Sequence, residues 1–223
     1  MVGELFHFWR GAPLMKKALN MFGDMLGNCD YLLTQAWETS ATQDVIDRIP
    51  QSFYDVDIAT NNQEREIRQL LLEHLSLHPT HDTSGCLALM SLVKDAERIG
   101  DYAKNIFEVA VLNKGTIKDI KYFERISAAE QRIASQLPLL KQAFMESDEK
   151  LAEEILKNYT PIKRECDYML QDLYKDQLST QEAVATALLS RYLKRINSHL
   201  SNIASGIIYP LNEIDFVRGD ILE

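Results

Sequence analysis

Positive charge is in short supply in this sequence: 24 Lys and Arg stand against 33 Asp and Glu, for a formal net charge of −9. Nucleic acid is a poor partner for such a chain, because duplex binding draws most of its affinity from basic side chains that neutralise phosphates. Anionic membrane surfaces are disfavoured for the same reason, whereas cations and basic protein patches suit it. Cysteine is scarcer still. Cys29, Cys86 and Cys166 are odd in number, far apart and in no CxxC arrangement, which excludes a disulfide framework or zinc knuckle and leaves buried or free thiols in a reducing cytosol. The uncharged stretch Thr83 to Val93 falls well short of the roughly 20 apolar residues of a bilayer crossing. The N-terminus offers no basic start followed by an apolar run, so no secretory signal is read there and a cytoplasmic location is expected. P-loops, nucleophile elbows and dinucleotide-binding glycines are missing, as is a Glu-x-x-His on each of two helices. A non-enzyme is expected.

What is present is helical. Glycine and proline number only 9 and 6 and sit mostly between periodic segments, while apolar residues recur at three and four rather than at two. Met21, Met25, Leu26, Leu32, Leu33 and Trp37 form one seam. Val93, Ala96, Ile99, Ala103, Ile106 and Ala110 form a second, and Ala185, Leu188, Tyr192, Ile196, Leu200, Ile203 and Ile207 a third. Six helices are predicted, near 13–39, 44–77, 84–112, 117–146, 148–175 and 180–210. Thr42 or Asp44 would cap the second, Thr116 the fourth and Ser147 the fifth, and Pro50 and Pro161 mark kinks. Ser179 with Glu182 reads as a capping box for the sixth. Strand signals are lacking, so the fold class is all-α.

The helices repeat. Leu32-Leu33-Thr34-Gln35-Ala36-Trp37 in the first resembles Leu139-Leu140-Lys141-Gln142-Ala143-Phe144 in the fourth. In the third and sixth, Arg98-Ile99 matches Arg195-Ile196 and Asn105-Ile106 matches Asn202-Ile203, with the apolar seam in register. Two tandem three-helix units follow, over residues 1–114 and 115–223.

Chemistry concentrates in Asp95-Ala96-Glu97-Arg98-Ile99-Gly100-Asp101-Tyr102-Ala103-Lys104-Asn105-Ile106. On a helix Glu97 and Asp101 lie one turn apart on one face, and Asn105 and Glu108 extend the stripe. Like charges at this spacing weaken a helix by a few tenths of a kcal/mol. Two readings stay open: a solvated acidic face beside Arg98 and Lys104, or carboxylates bridged by a hard cation, for which oxygen ligands suit Mg, Mn or Fe. Gly100 costs the helix about 1 kcal/mol relative to Ala and points to a tight helix crossing.

The run from Ala96 to Ile106 resembles the signature of the PhoU family, an acidic-xxx-Asp motif within ERIGD-x-A-x-NI. Asp57-Ile58-Ala59-Thr60-Asn61-Asn62-Gln63-Glu64 is similar to that family's D-xxx-N-xx-E pattern in the preceding helix. The resemblance implies two three-helix bundles side by side in a cytoplasmic regulator of phosphate uptake. It implies contact with a phosphate transporter or a sensor histidine kinase, and a homodimer. It also implies multinuclear iron or zinc binding through the acidic motifs, which would fall to Glu97 and Asp101 with Asp57 and Glu64. In the second half the acidic pair is replaced by Lys194 and Ser198, and Asn158 and Ile162 replace the first acid and the amide of the helix-two pattern, while Glu165 remains. A metal site is therefore expected in the first repeat only. A metal-dependent enzyme or metal store using the same carboxylates, or a divergent helical scaffold, are the alternatives.

Two weaker signals complete the reading. His74, His78 and His81 cluster with Glu73 and Asp82, either as a zinc site or as ordinary histidines at a helix C-terminus, where the macrodipole favours them. Phe6, Phe8 and Trp9 suit either a partner contact or the end of the bundle.

Overall fold

Long segments rich in Leu, Ala, Glu, Lys and Gln, with few helix breakers, dictate long helices, and the computed structural model is built from them. It describes residues 13–41, 51–78, 82–113 and 117–215. The helices are α1 (Pro13–Ser40), α2 (Gln51–Leu77), α3 (Thr83–Leu112), α4 (Phe123–Ala134), α5 (Gln136–Glu146), α6 (Glu149–Leu173) and α7 (Thr180–Ile208), with short 3-10 turns at Ile117–Asp119 and Leu211–Glu213. No strand occurs among the described residues. The fold is all-α: two three-helix units, with α4 and α5 together forming the first helix of the second unit.

Two details differ from the sequence reading. The fourth helix is not continuous over 117–146. It starts at Phe123 and breaks at Ser135, because Pro138 has no N–H to give the Ala134 carbonyl. The Ser135 hydroxyl and the Gln136 side-chain amide both donate to the Arg132 carbonyl, at 3.0 and 2.7 Å. Ser147 does not cap the fifth helix. It takes the left-handed conformation (φ 57°) that ends α5, and Asp148 caps α6 by accepting from the amides of Lys150 and Leu151 at 2.9 and 3.1 Å. The capping box of Ser179 and Glu182 opens α7 as expected, and α6 runs through Pro161. Thr42, Asp44, Pro50, Thr116, His81, Phe6, Phe8 and Trp9 lie outside the described residues.

The predicted seams are the core. All six named apolar residues of α3 are buried, and Leu32, Leu33, Ile196, Leu200 and Ile203 join them. A fully buried Leu or Ile contributes about 1.5–3 kcal/mol relative to exposure. The three cysteines belong to this core as free thiols. Cys29 donates to the Ala96 carbonyl at 3.1 Å, and burial pushes its thiol up to about 12. Burial likewise raises Cys86 to about 11 and Cys166 to about 12.

The two units join through antiparallel pairs. Gly23 of α1 faces Met145 of α5, and Phe22 meets Phe144 edge-on at 4.6 Å between ring centroids. At the centre α3 packs on α7. A Cβ placed on Gly206 would lie 2.8 Å from both methyl groups of Leu92, so only glycine admits so close an approach there. Midway along this seam Tyr102 stacks on His199 at 5.7 Å. These two residues occupy matching positions of the repeat. So do Asp95 and Tyr192, and the contacts Tyr102–Tyr192 at 5.8 Å and His199–Asp95 at 2.6 Å are counterparts across the approximate two-fold.

Gly206→Val should cost about 1–3 kcal/mol by overpacking, read as a shift in urea midpoint. Combined with Leu92→Ala it should cost less than the sum of the two single changes; strict additivity would show that the two positions do not press on one another. Glu130 of α4 is buried, and burial followed by the charge of Glu38 raises its carboxyl to about 7. The folded chain thus keeps a proton that the unfolded chain releases from about pH 4.5 upward, and stability falls as pH rises toward 7. Glu130→Gln should raise stability near pH 8 by on the order of 1–2 kcal/mol and give no gain near pH 4. Thermal melts at the two pH values decide this.

Candidate functional site

The signature run of α3 lies against the middle of α2, where the two helices cross antiparallel. Gly100 sits at the crossing: a Cβ there would come within 3.3 Å of Leu32 on α1 and 4.0 Å of Thr60 on α2. The expected close approach is therefore real, and its tightest partner is α1. The crossing sets Glu64 beside Glu97 at one end and Asp57 beside Lys104 at the other, with Asp101 between.

All four sequence-predicted acids come to this seam. Asp57, Glu64 and Glu97 are buried and Asp101 is part-exposed, so the acids at the crossing are largely withdrawn from water. Each acid carries a basic partner. Lys94 Nζ lies 2.7 Å from Glu97 Oε2 and 3.7 Å from Glu64 Oε1. Arg68 Nη2 reaches Glu64 Oε1 at 3.0 Å. Arg98 approaches Glu97 at 3.7 Å through Nε and Asp101 at 3.4 Å through Nη1. Lys104 Nζ pairs with Asp57 Oδ2 at 3.3 Å. Burial raises the Asp101 carboxyl above its usual range, the charges of Glu97 and Asp57 add to the rise, and Arg98 and Lys94 oppose it. Asn61 turns to its own helix, donating to the Asp57 carbonyl at 3.1 Å. Glu108 is exposed.

As they stand, these donors do not fit a multinuclear iron or zinc cluster. Their oxygens are engaged by ammonium and guanidinium groups, and among the described residues no three His, Cys, Asp or Glu side chains converge so as to hold an ion.

The second repeat reverses the polarity. Lys194, at the position matching Glu97, pairs with Asp167 of α6, and the Ser198 hydroxyl donates to the Lys194 carbonyl at 3.0 Å. Arg125 of α4 bonds Glu165 at 2.7 Å and Asp172 at 2.8 Å. The retained acid Glu165 is thus tied to the first helix of its bundle rather than to the last.

Sequence reasoning missed a second polar cluster, at the contact between the repeats. Asp95 Oδ1 receives His199 Nδ1 at 2.6 Å and Asn202 Nδ2 at 3.0 Å. Burial raises the Asp215 carboxyl nearby, with the charge of Asp95 adding to it. The signal was available in the repeat register, which gives His199 and Tyr102 matching places. In the histidine group, His74 is buried with Nε2 3.6 Å from Asp82 Oδ2, and His78 lies 5.2 Å away ring to ring.

A PhoU domain model matches residues 16–110 and again 126–207, once in each three-helix unit. The chain belongs to the PhoU family. A phosphate-specific transport system accessory protein PhoU homolog from Xylella fastidiosa is 25% identical over 174 residues, covering 74% of this chain and 69% of its own. Another from Deinococcus radiodurans is 23% identical over 206 residues, covering 87% and 93%. The crystal structure of PhoU from Pseudomonas aeruginosa superimposes with a TM-score of 0.78 at 21% identity, covering 88% of this chain and 96% of that one. The PhoU fold thus extends over both repeats, including the second, where the acidic motif is gone.

Asp101→Asn removes a carboxylate whose folded form holds its proton more tightly than the unfolded form. Stability from such a group is lost as pH rises. The variant should melt higher than the parent near neutral pH and lose that advantage in acid; a lower melting temperature at neutral pH would mean that the Arg98 pairing outweighs the crowding of acids.

Proposed function

We propose that this chain is a non-catalytic regulator of phosphate uptake and signalling, working in the cytoplasm as an adaptor on a phosphate transporter, a sensor histidine kinase, or both. The observation that carries the reading is the double match to the PhoU domain across both repeats. Relatives that align over most of this chain are named accessory proteins of the phosphate-specific transport system. The physical character of the chain agrees with docking. It carries a net charge of −9, which steers association with basic protein surfaces. None of the helices searched among the described residues is long and apolar enough to cross a membrane, so contact with a transporter would run through the transporter's own protein surface. A rigid pair of bundles acts by fit and charge: it adds a surface to one state of its partner and thereby shifts that partner's equilibrium.

The test is genetic and biochemical. A strain lacking this chain should take up phosphate faster in phosphate-rich medium, and affinity capture of the full chain from its native host should recover a phosphate transporter subunit or a histidine kinase. Unchanged uptake together with capture of neither would overturn the proposal.

A further inference from the structure

The seam between α3 and α7 is covered at one end and open at the other. Past α7 the chain leaves the helix at Tyr209 and lies back on its neighbour. The turn Leu211–Glu213 packs on α3, Ile214 is buried, and the Asp215 amide donates to Ser205 Oγ at 3.2 Å. The repeat puts the last turn of α3 in the place matching the last turn of α7, yet there the chain goes elsewhere. The turn that follows α3, Ile117–Asp119, packs on α4, and the sequence position matching Leu211 carries a lysine, Lys114. A groove of about 210 Å³ remains between the end of α3 and the start of α7. Val109 and Leu112 line one wall, and Val184, Ala185 and Leu188 the other. Among the described residues no side chain fills it, and Leu112 and Val184 stay 75% and 52% exposed. The walls are held in place by Gln181, whose Nε2 donates to the carbonyl and the side-chain oxygen of Asn113 at 2.8 and 2.9 Å. Glu108 is exposed one turn before Leu112, and no Lys or Arg lines the groove among the described residues.

We propose that this groove is the docking point for a short loop of the regulated partner, a loop that presents a leucine or isoleucine with lysine or arginine beside it. The occupant follows from the covered end of the seam, where the chain's own turn brings Leu211 and Ile214 onto the neighbouring helix. A protruding loop does from outside what that turn does from within. Withdrawing the exposed faces of Leu112 and Val184 from water drives the association, and the acidic edge together with the net charge of −9 selects basic neighbours. The proposal rests on the adaptor reading above and names the surface by which the adaptor docks.

The test uses the full chain and titrates it against the transporter subunit or kinase that the parent captures, once purified. Val184→Gln sets an amide in the groove without changing the charge, and should weaken binding about tenfold or more. Leu112→Gln, in the opposite wall, should do the same. Leu72→Gln, at an exposed leucine of α2, should bind as the parent does, and all three variants should melt with the parent. The parent's binding should also fall as salt is raised, since an exposed acid facing basic residues is screened; binding that salt leaves unchanged would overturn the basic neighbours. Undiminished binding by Val184→Gln and Leu112→Gln would overturn the inference and leave the adaptor reading standing, whereas a parent that captures neither protein overturns both. A melting temperature lowered in the two groove variants but not in Leu72→Gln would show that the chain's own residues fill the groove. A parent dimer that Val184→Gln splits into monomers would show a second copy there. Either result puts another occupant in place of the partner's loop and overturns the inference.

Discussion

The antiparallel contact of α3 with α7 is the constraint on which the rest of the molecule rests. Each is the last helix of its unit, and each shows one face to its own bundle and another to its twin. Small residues allow this: Gly206 receives Leu92, and Ala96, Ala103, Ala110 and Ala204 are all buried. With the two helices fixed, α1 closes on α5 through Gly23 and Met145, and the outer helices α2 and α6 are left free to pair with α3 and α7 respectively. The acidic signature is then presented on a flank away from the seam, where its sequence can change without disturbing the join.

That freedom explains how the repeats diverged. In the first, acids cluster on both α2 and α3, and basic residues of the same two helices satisfy them. In the second, the α7 position carries a lysine and the acid has moved to α6 as Asp167. Both solutions leave the interhelical charge balanced, but by opposite routes. An exposed ion pair contributes little, about 0–1 kcal/mol, whereas removing one partner of a buried pair is costly. A lysine at the position of Glu97 therefore needs an acid of its own, and Asp167 of α6 supplies it to Lys194.

Much of this was legible in the residues. The 3.6-residue periodicity gave the seams, because burial is a property of one helix face and repeats with the helix. The doubled pattern of Arg98-Ile99 and Arg195-Ile196 gave the duplication. The ends were harder to read. Ser147 and Asp148 are both good caps by composition, and only the left-handed turn at Ser147 decides between them. Pro138 sat in a segment whose apolar spacing reads through the break. At the acidic site the four carboxylates were legible, but their burial was not, since a charged stripe looks the same in sequence whether water or a neighbouring helix covers it. Lys94 and Arg68 lay in plain view as helix neighbours of Glu97 and Glu64. Their importance emerges only when α2 and α3 are brought together, as does that of Asp95, whose partners His199 and Asn202 are on the distant α7.

The thiols described above carry a practical consequence. Cys29, Cys86 and Cys166 are sealed in the core with their acidity suppressed by burial, and it is the thiolate that reacts. Alkylating reagents at neutral pH should find almost nothing to attack in the folded chain. A single cysteine engineered on an outward face of α2 or α6 would then take a fluorophore or spin label almost alone. Distances between the bundles, or to a docked partner, could be read without first stripping the native sulfur from the protein.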